Sequence, residues 1–423
     1  MTQFDLIIRQ AYLGEHPQYA HQAVDLGITN GKFSAIAPCL TADAQAELNA
    51  TDCFISPPFV ESHIHLDSAL TIGQPRWNES GTLFEGIEIW RDRKQNLSFE
   101  DVQARAIATL KCQAEQGVLF VRTHADVSEA SLIALKALLA VREQVKDWLT
   151  LQVVAFPQDG LWRRLENLDL MQEAIQLGAD AIGGIPHYEL TREDGVASVE
   201  KIFELAQKHE RLIDIHCDEI DDEQSRFLEV MAAQTIRTGL GSRVTASHTT
   251  AFGSYNNAYA QKLLGFLQNA QLNIIANPLI NITLQGRGDS YPKRRGLTRV
   301  KELWQHGINV SFGHDCIQDP WYSLGTGNML DVAMMAIHAC QMTGRSEMTA
   351  CYEMITTQGA QTLHVCDRYG LEIDKPASFL LFAVPNAYEV LRQRLLPQWV
   401  YHNGQCLVET PPTLSHWHYS PSP

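Results

Sequence analysis

Short apolar runs alternate with longer amphipathic stretches through the middle of the chain. The runs have the length and composition of buried strands, whereas the stretches between them repeat their apolar residues with the period of a helix. The predicted strands are 59–65, 118–124, 149–156, 181–186, 212–216, 243–248, 273–277 and 308–315, and the clearest helices are 101–115, 130–145, 198–209 and 259–270. This alternation is typical of a parallel sheet and predicts an α/β fold, the (β/α)8 TIM barrel, within residues 58–374.

The two ends of the chain have a different pattern of short strands and tight turns. The strand-like segments are 4–8, 23–28, 33–37, 378–382, 398–401 and 406–409, with Asn30-Gly31 and Asn403-Gly404 as hairpin turns. Because chain termini often lie close together in space, we predict that residues 1–57 and 375–423 form one small β-sandwich domain. The alternative is two independent β caps, one at each end.

The composition limits the kinds of molecule that the protein is expected to bind. The 423 residues are 45% hydrophobic and 19% charged, with a formal net charge of −16. Affinity for a nucleic-acid polymer depends on clustered Lys and Arg, so this charge argues against such a partner. The sequence shows no signal-peptide pattern and no apolar run of about 18 residues, so we expect a cytoplasmic protein with no membrane partner. The nine cysteines include no Cys-x-x-Cys pair, which disfavours a disulfide framework or a thiolate zinc site.

Residues that bind metals recur where the predicted strands end. His63 and His65 close the first strand and, two residues apart, point to the same face. His216 ends the fifth strand, His248 the sixth and Asp315 the eighth, and all strand ends meet at the active-site face of a TIM barrel. Three His and one Asp suit Zn²⁺ or Fe²⁺ and leave a position for water, although they do not distinguish these two metals. Any one of these histidines alone would more often be structural.

The segments around these residues resemble a known family. They are 215–224, 246–250 and 313–315 around the candidate ligands, together with 73–75, 80–86, 156–158, 291–296 and 319–322. Over residues 55–370 the chain resembles the amidohydrolase superfamily, and more closely the bacterial cytosine deaminases.

This resemblance implies one divalent metal ion, held by His63, His65, His216 and Asp315. It also implies catalytic roles for Glu219 in proton transfer, for His248 in orienting and polarising the hydroxide, and for Asp315 in passing a proton to the departing ammonia. A single metal agrees with the sequence at the end of the fourth strand, 184–187, which has no lysine to bridge two ions. We interpret His124 and His187 as structural, and we expect His314 to point away from the metal.

Candidate substrate contacts follow from chemistry and position. The amide of Gln158 offers one acceptor and two donors for a ring carbonyl and a ring N–H. Phe156 and Trp321 are candidate ring-packing partners, and Leu83 lies in a candidate lid. Cys316 follows Asp315, where the cytosine deaminases usually carry a second aspartate. Replacing a charge by a weakly polar thiol would clear room for a methyl group on the ring.

The resemblance predicts a hydrolase that deaminates free cytosine-type bases with metal-activated hydroxide. We expect cytosine to give uracil and 5-methylcytosine to give thymine, with release of ammonia. The alternatives are a cytosine deaminase without a 5-methyl preference that also accepts isoguanine, a cyclic amide hydrolase on the same scaffold, or a silent scaffold protein. The expected partner is a small nucleobase, and the resemblance implies a homo-oligomer such as a hexamer.

Overall fold

The computed structural model of the protein describes residues 3–14, 18–20, 22–412 and 415–418. They divide into two units, one from Met1–Ser56 with Leu371–Pro423 and the other from Pro57–Gly370. Among the described residues, no helix combines the length and the apolar character that crossing a membrane requires.

The elements are numbered here in chain order. The strands are β1 (Phe4–Tyr12), β2 (Ala23–Thr29), β3 (Lys32–Ala37), β4 (Ala44–Asn49), β5 (Phe54–Ser56), β6 (Phe59–Ile64), β7 (Val118–Asp126), β8 (Thr150–Phe156), β9 (Ala181–Gly184), β10 (Leu212–Cys217), β11 (Val244–His248), β12 (Asn273–Ala276), β13 (Val310–Phe312), β14 (Phe379–Phe382), β15 (Trp399–His402) and β16 (Gln405–Glu409). The helices are α1 (Leu83–Lys94), α2 (Phe99–Glu115), α3 (Ile133–Val145), α4 (Glu166–Leu177), α5 (Arg192–His209), α6 (Phe227–Thr238), α7 (Asn257–Ala270), α8 (Pro278–Leu284), α9 (Val300–Gln305), α10 (Met329–Ala339), α11 (Arg345–Met354), α12 (Thr357–Thr362) and α13 (Ala387–Gln393).

The larger unit is a parallel barrel. Strands β6 to β13 lie side by side in chain order, and each neighbouring pair is parallel. A parallel bridge between Ile64 and Asp315 joins the first strand to the segment after the last. There, His65 N–H donates to the Asp315 carbonyl (3.0 Å) and Asp315 N–H donates to the His63 carbonyl (2.8 Å). The predicted (β/α)8 barrel is confirmed, and its closing hydrogen bonds join candidate metal ligands.

The barrel strands were recognisable because they are buried on both faces. All residues of β7 are buried, for example, and its first four residues form an uninterrupted apolar run. Helix boundaries were harder to predict. Helix α5 begins at Arg192, where the Thr191 side chain accepts the Asp194 N–H, rather than at 198. Gly195 weakens the helical pattern in this first part of the helix. A side chain does not fit at this position, because a Cβ would lie 2.5 Å from the Pro186 carbonyl oxygen.

The smaller unit combines both ends of the chain in one sheet. The strand order is β16-β15-β14-β5-β1-β2-β3, and β4 also pairs with β1, so the sheet branches at β1. Strand β14 joins the N-terminal strands through antiparallel pairing with β5. Residues from both ends, including Ile8, Phe33, Ile55 and Phe379, share one buried apolar cluster. The prediction of one small β-domain from the two termini is confirmed, and the described strands of the two ends belong to one sheet rather than to two independent caps.

A substitution at the closing seam tests how tightly the barrel is packed. A Cβ on Gly313 would lie 2.7 Å from His63 Cβ and 2.8 Å from its carbonyl oxygen. We expect Gly313→Ala to lower the free energy of unfolding by about 1–3 kcal/mol, because a packed strand junction must move apart. Thermal and denaturant unfolding measure this change.

Gly265→Ala is the matched control. Gly265 is exposed within α7, and a Cβ there meets no atom within 4 Å, so alanine should stabilise the helix by about 0.5–1 kcal/mol. A Gly313→Ala protein as stable as the wild type would contradict the tight closure.

Candidate active site

Four predicted ligands converge at the carboxyl ends of the barrel strands. His65 Nε2 and His216 Nε2 lie 3.1 Å apart. The Asp315 Oδ1 atom lies 3.5 Å from His65 Nε2 and 3.7 Å from His63 Nε2. The structure therefore brings His63, His65, His216 and Asp315 together at one end of the barrel, although they come from distant parts of the sequence.

The chemistry of this cluster fits a divalent cation. Burial is the main cause that lowers the pKa of His63, His65 and His216 well below the usual value, so their imidazoles are neutral and each keeps a nitrogen lone pair. Within the described part of the chain, the buried His63 Nε2 has no hydrogen-bond partner. Convergent lone pairs beside a carboxylate repel one another unless a cation lies between them, and Zn²⁺ and Fe²⁺ favour this donor set.

Three further histidines lie near the cluster. His124 lies close to His63 and His65, and ring nitrogens of these three residues come within 4.8 Å of one another. Its Nε2 lies 3.6 Å from Asp214 Oδ1, so a carboxylate below the cluster faces this ring. His314 points away, as predicted, because its Nδ1 faces the Cys316 carbonyl (2.9 Å). His187 lies on a short 3₁₀ turn after β9 and belongs to none of the candidate metal groups found among the described residues.

A second group of acid and base side chains borders the cluster. His248 Nδ1 lies 3.2 Å from Glu219 Oε1, and His248 Nε2 lies 3.8 Å from Asp315 Oδ2. Glu219 is fully buried, and this burial, with a smaller effect of Asp315, raises the pKa of its carboxyl group well above the usual value. This shift favours the protonated form of Glu219 over a wider pH range than in a free glutamate, as a group that donates a proton requires.

Backbone strain accompanies this arrangement. His248 has φ 69° and Asp315 has φ 70°, both in the left-handed region that non-glycine residues rarely occupy. Such a conformation costs on the order of 1–3 kcal/mol and persists only where the surroundings fix it. At Asp315 the fixing contacts are the closing hydrogen bonds of the barrel.

Two asparagines near His248 were not assigned a role from the sequence. Asn281 Nδ2 lies 3.0 Å from His248 Nδ1, and Asn277 Nδ2 lies 3.2 Å from the same atom. Asn277 also donates to Asp315 Oδ2 at 3.4 Å. The rule that strand ends carry the site could have identified Asn277, which ends the predicted seventh strand. Asn281 follows one helical turn later on α8.

A pocket opens beside these groups. Its lining includes four of the predicted substrate contacts, Gln158, Leu83, Cys316 and Trp321. The predicted metal-binding and catalytic residues His65, His216, Glu219, His248 and Asp315 also line it. Three apolar residues that the sequence did not suggest, Ile185, Ile280 and Leu284, complete the lining.

Phe156 lies elsewhere than predicted. It is absent from the lining of this pocket, and its ring stacks on His216 at a centroid distance of 4.0 Å and an angle of 16°. Phe156 is two residues before Gln158 and thus lies deeper in the barrel, where its ring packs on that of the predicted metal ligand His216.

Helix α1 covers one side of the pocket. The Trp321 indole donates to the Leu83 carbonyl (3.2 Å), and a Cβ on Gly86 would lie 2.3 Å from the same indole. At the other end of α1, the buried Lys94 ammonium donates to Asp126 (2.9 Å) and Asp159 (2.8 Å). These contacts anchor both ends of the segment that was predicted as a lid.

Comparison with known proteins identifies the family. The sequence model of the amidohydrolase family matches residues 46–408. The chain belongs to this family. Solved 5-methylcytosine deaminase from Klebsiella pneumoniae, liganded with phosphonocytosine, is 45% identical with a TM-score of 0.93 over 97% of this chain and 100% of that chain. The predicted resemblance to the amidohydrolases and their cytosine-deaminase-type members is confirmed.

More distant relatives match over nearly the same length. N-isopropylammelide isopropyl amidohydrolase of Pseudomonas sp. (strain ADP) is 28% identical over 96% of this chain and 98% of that protein. Pterin deaminase of Rhizobium rhizogenes (strain K84) is also 28% identical, over 90% of this chain and 87% of its own.

Metal content tests the ligand set. We expect one divalent ion per chain by elemental analysis, because the convergent donors surround one point and β9 ends without a lysine that could bridge two ions. His216→Ala should lose most of this metal. His338→Ala, which removes an exposed imidazole on α10, serves as the control and should retain it. Two ions per wild-type chain would contradict the assignment.

Proposed function

We propose that this protein catalyses the hydrolytic deamination of free cytosine-type bases, and that it converts 5-methylcytosine to thymine and ammonia. The observation that carries the proposal is the buried Glu219 carboxyl group, whose pKa is raised, beside His248 and Asp315, at the edge of the histidine cluster and in the lining of the pocket. The 45% identity to 5-methylcytosine deaminase, including a structure with 5-fluorocytosine, supports it.

His63, His65, His216 and Asp315 would hold the metal ion, which we propose is Fe²⁺ or Zn²⁺. When bound, such an ion lowers the pKa of a water molecule from about 16 to about 7 and so supplies a nucleophile at neutral pH. The remaining steps belong to the side chains of the protein.

Glu219 supplies a proton to the ring. Water adds to the ring carbon that bears the amine only if the adjacent ring nitrogen gains a proton, which the Glu219 carboxyl group donates. Asp315 accepts the proton of the attacking water and delivers it to the amine nitrogen, and His248 hydrogen-bonds the water. The carbon–nitrogen bond then breaks and ammonia leaves, and the proton that remains on the newly added oxygen returns to Glu219 as the ring carbonyl forms. Base plus water yields the ring carbonyl product plus ammonia.

Gln158 recognises the opposite edge of the ring. It is 6% exposed and lines the pocket. Its amide oxygen accepts a ring N–H, and its amide nitrogen donates to the ring carbonyl. A ring that left these buried groups unpaired would lose about 1–3 kcal/mol for each.

An apolar wall provides space for a 5-methyl group. Cys316 belongs to a buried cluster with Ile280, Leu284 and Trp321. Burial, the largest cause, and nearby carboxylates raise the pKa of the Cys316 thiol well above its usual value, so it remains neutral. A methyl group against this wall meets no charge, whereas an aspartate at this position would have to lose its water.

The runner-up is a cytosine deaminase without a preference for the methyl group. A cyclic amide hydrolase is less well supported, because the pocket presents a proton-donating Glu219 and β9 ends without a bridging lysine. Two assays separate these functions. One measures ammonia release from cytosine, 5-methylcytosine, isoguanine and creatinine, and the other measures hydrolytic ring opening of a hydantoin. Ring opening without ammonia release would overturn the proposal.

Glu219→Gln tests the proton donor. The amide keeps the size of the side chain but cannot transfer a proton, so we expect kcat to fall by about 10²- to 10⁴-fold with metal content unchanged. Glu223→Gln removes an exposed carboxylate from the same loop and should leave kcat unaltered. A Glu219→Gln enzyme with most of the wild-type kcat would disprove the role.

Cys316→Asp tests the choice of substrate. Discrimination by one methyl group is worth about 1–3 kcal/mol, so the ratio of kcat/KM for 5-methylcytosine over cytosine should fall by about 10- to 200-fold. Cys316→Ser introduces polarity without charge, and we expect an intermediate ratio. If all three proteins gave the same ratio, Cys316 would not set the preference.

A further inference from the structure

An ion pair lies buried inside the barrel, below the metal-binding cluster. The Arg122 guanidinium on β7 donates to Asp214 Oδ2 on β10 at 2.9 Å, and the two side chains are 1% and 0% exposed. Arg122 also donates to Gln152 Oε1 (3.0 Å) and to the Thr362 carbonyl (2.9 Å). Removing two charges from water costs about as much as their attraction returns, so such a pair contributes little net stability and calls for another explanation.

The second oxygen of Asp214 begins a chain of hydrogen bonds that ends at a metal ligand. Ser247 Oγ lies 2.6 Å from Asp214 Oδ1 and 3.0 Å from His63 Nδ1. All three side chains are buried. His124 Nε2 also lies near Asp214 Oδ1, but the distance of 3.6 Å is too long for a hydrogen bond.

The direction of each hydrogen bond in this chain is fixed. Arginine can only donate and a carboxylate can only accept, so the single hydroxyl proton of Ser247 points to Asp214. The Ser247 oxygen must then accept a proton from His63 Nδ1. This leaves His63 Nε2, the atom that faces Asp315, without a proton and free to bind a cation.

We propose that Arg122, Asp214 and Ser247 are positioning residues that hold His63 in the tautomer required for metal binding. Without this chain, the Ser247 hydroxyl can donate to His63 Nδ1 instead. The imidazole proton then moves to Nε2 and blocks the ligand position. Hydrogen-bond partners of this kind orient metal-binding histidines and typically change metal affinity by about 10- to 100-fold. The inference rests on the metal dependence of the proposed function but not on the identity of the base.

Zinc retention provides the test. Zinc-loaded proteins are dialysed against a graded series of chelator concentrations, and the zinc left per chain is measured. We expect Ser247→Ala to release half of its zinc at a free zinc concentration about 10- to 100-fold higher than the wild type does. Ser247→Thr keeps the hydroxyl group and should restore most of the affinity.

Thr245→Val is the matched control. Thr245 lies on the same strand and accepts from Arg122 at 3.4 Å, but it takes no part in the chain to His63. We expect Thr245→Val to retain zinc as the wild type does. If it loses as much zinc as Ser247→Ala, the effect is general loosening of the barrel and the proposal is overturned.

The tautomer itself can be observed in the zinc-loaded protein by nitrogen-15 NMR of labelled histidine. A slowly exchanging Nδ1 proton that is present in the wild type and absent in His63→Asn belongs to His63. We expect its resonance to shift and its exchange to accelerate in Ser247→Ala, and to persist in Thr245→Val. Wild-type zinc retention or an unaltered resonance in Ser247→Ala refutes the proposal. Should Ser247→Ala not fold, Ser247→Cys, whose thiol is a weaker partner, should show an intermediate loss of zinc, and wild-type retention there refutes it equally.

Ammonia release is measured in parallel, so that the two proposals fail separately. A wild type that deaminates none of the bases, but whose zinc retention falls in Ser247→Ala, would overturn the proposed substrate and support the role of the hydrogen-bond chain.

Discussion

The closing hydrogen bonds between β6 and the segment after β13 determine the geometry of the site. They join Asp315 to the backbone of both His63 and His65, so the carboxylate and two imidazoles are held at one height in the barrel. A slip of one residue would move the carboxylate by about 3.3 Å. Metal–ligand distances tolerate only about 0.2 Å, so the register of closure and the ability to bind an ion are one constraint. The left-handed backbone of Asp315 persists because this closure fixes it.

Two buried carboxyl groups, Asp214 within β10 and Glu219 just after it, have pKa values shifted in opposite directions. Burial alone would raise the pKa of Asp214, but contacts with His124, Arg122 and Ser247 outweigh it and lower the pKa. Glu219 faces an imidazole and the Asp315 carboxylate, so burial keeps its pKa high. The environment therefore favours the ionised, hydrogen-bond-accepting form of the deeper group and the protonated form of the group at the pocket. Separation of pKa values by environment lets two similar side chains take different roles.

The sequence predicted the strands and the positions of the ligands because each depends on a local rule. Strands buried on both faces are continuous apolar runs, and residues at their carboxyl ends share one face of a barrel. Depth within the barrel has no such local signal. The alternation of side-chain direction along a strand predicts the face on which Phe156 lies. It does not predict that the ring packs on His216 below the pocket. The chain from Arg122 to Ser247 joins three different strands, and their relative heights depend on the tilt of all the strands between them. Charged residues inside the buried strands, Arg122 in β7 and Asp214 in β10, were the available signs of this chain.

The pocket is assembled from two kinds of wall, and this division separates chemistry from specificity. The polar wall consists of strand-end residues that the barrel's own hydrogen bonds hold in place, such as Asp315 and His248. The apolar wall comes from α1, α8 and the segment around Cys316, whose contacts are side-chain packing against Trp321 and Leu284. Packing tolerates exchange of side chains of similar volume at a cost usually below about 1.5 kcal/mol, whereas removal of a ligand abolishes the site. Cys316 follows the closing residue Asp315 in the sequence, but its side chain packs in the apolar wall. Exchange of this side chain can therefore change the shape of the pocket while the cluster of histidines and Asp315 is preserved.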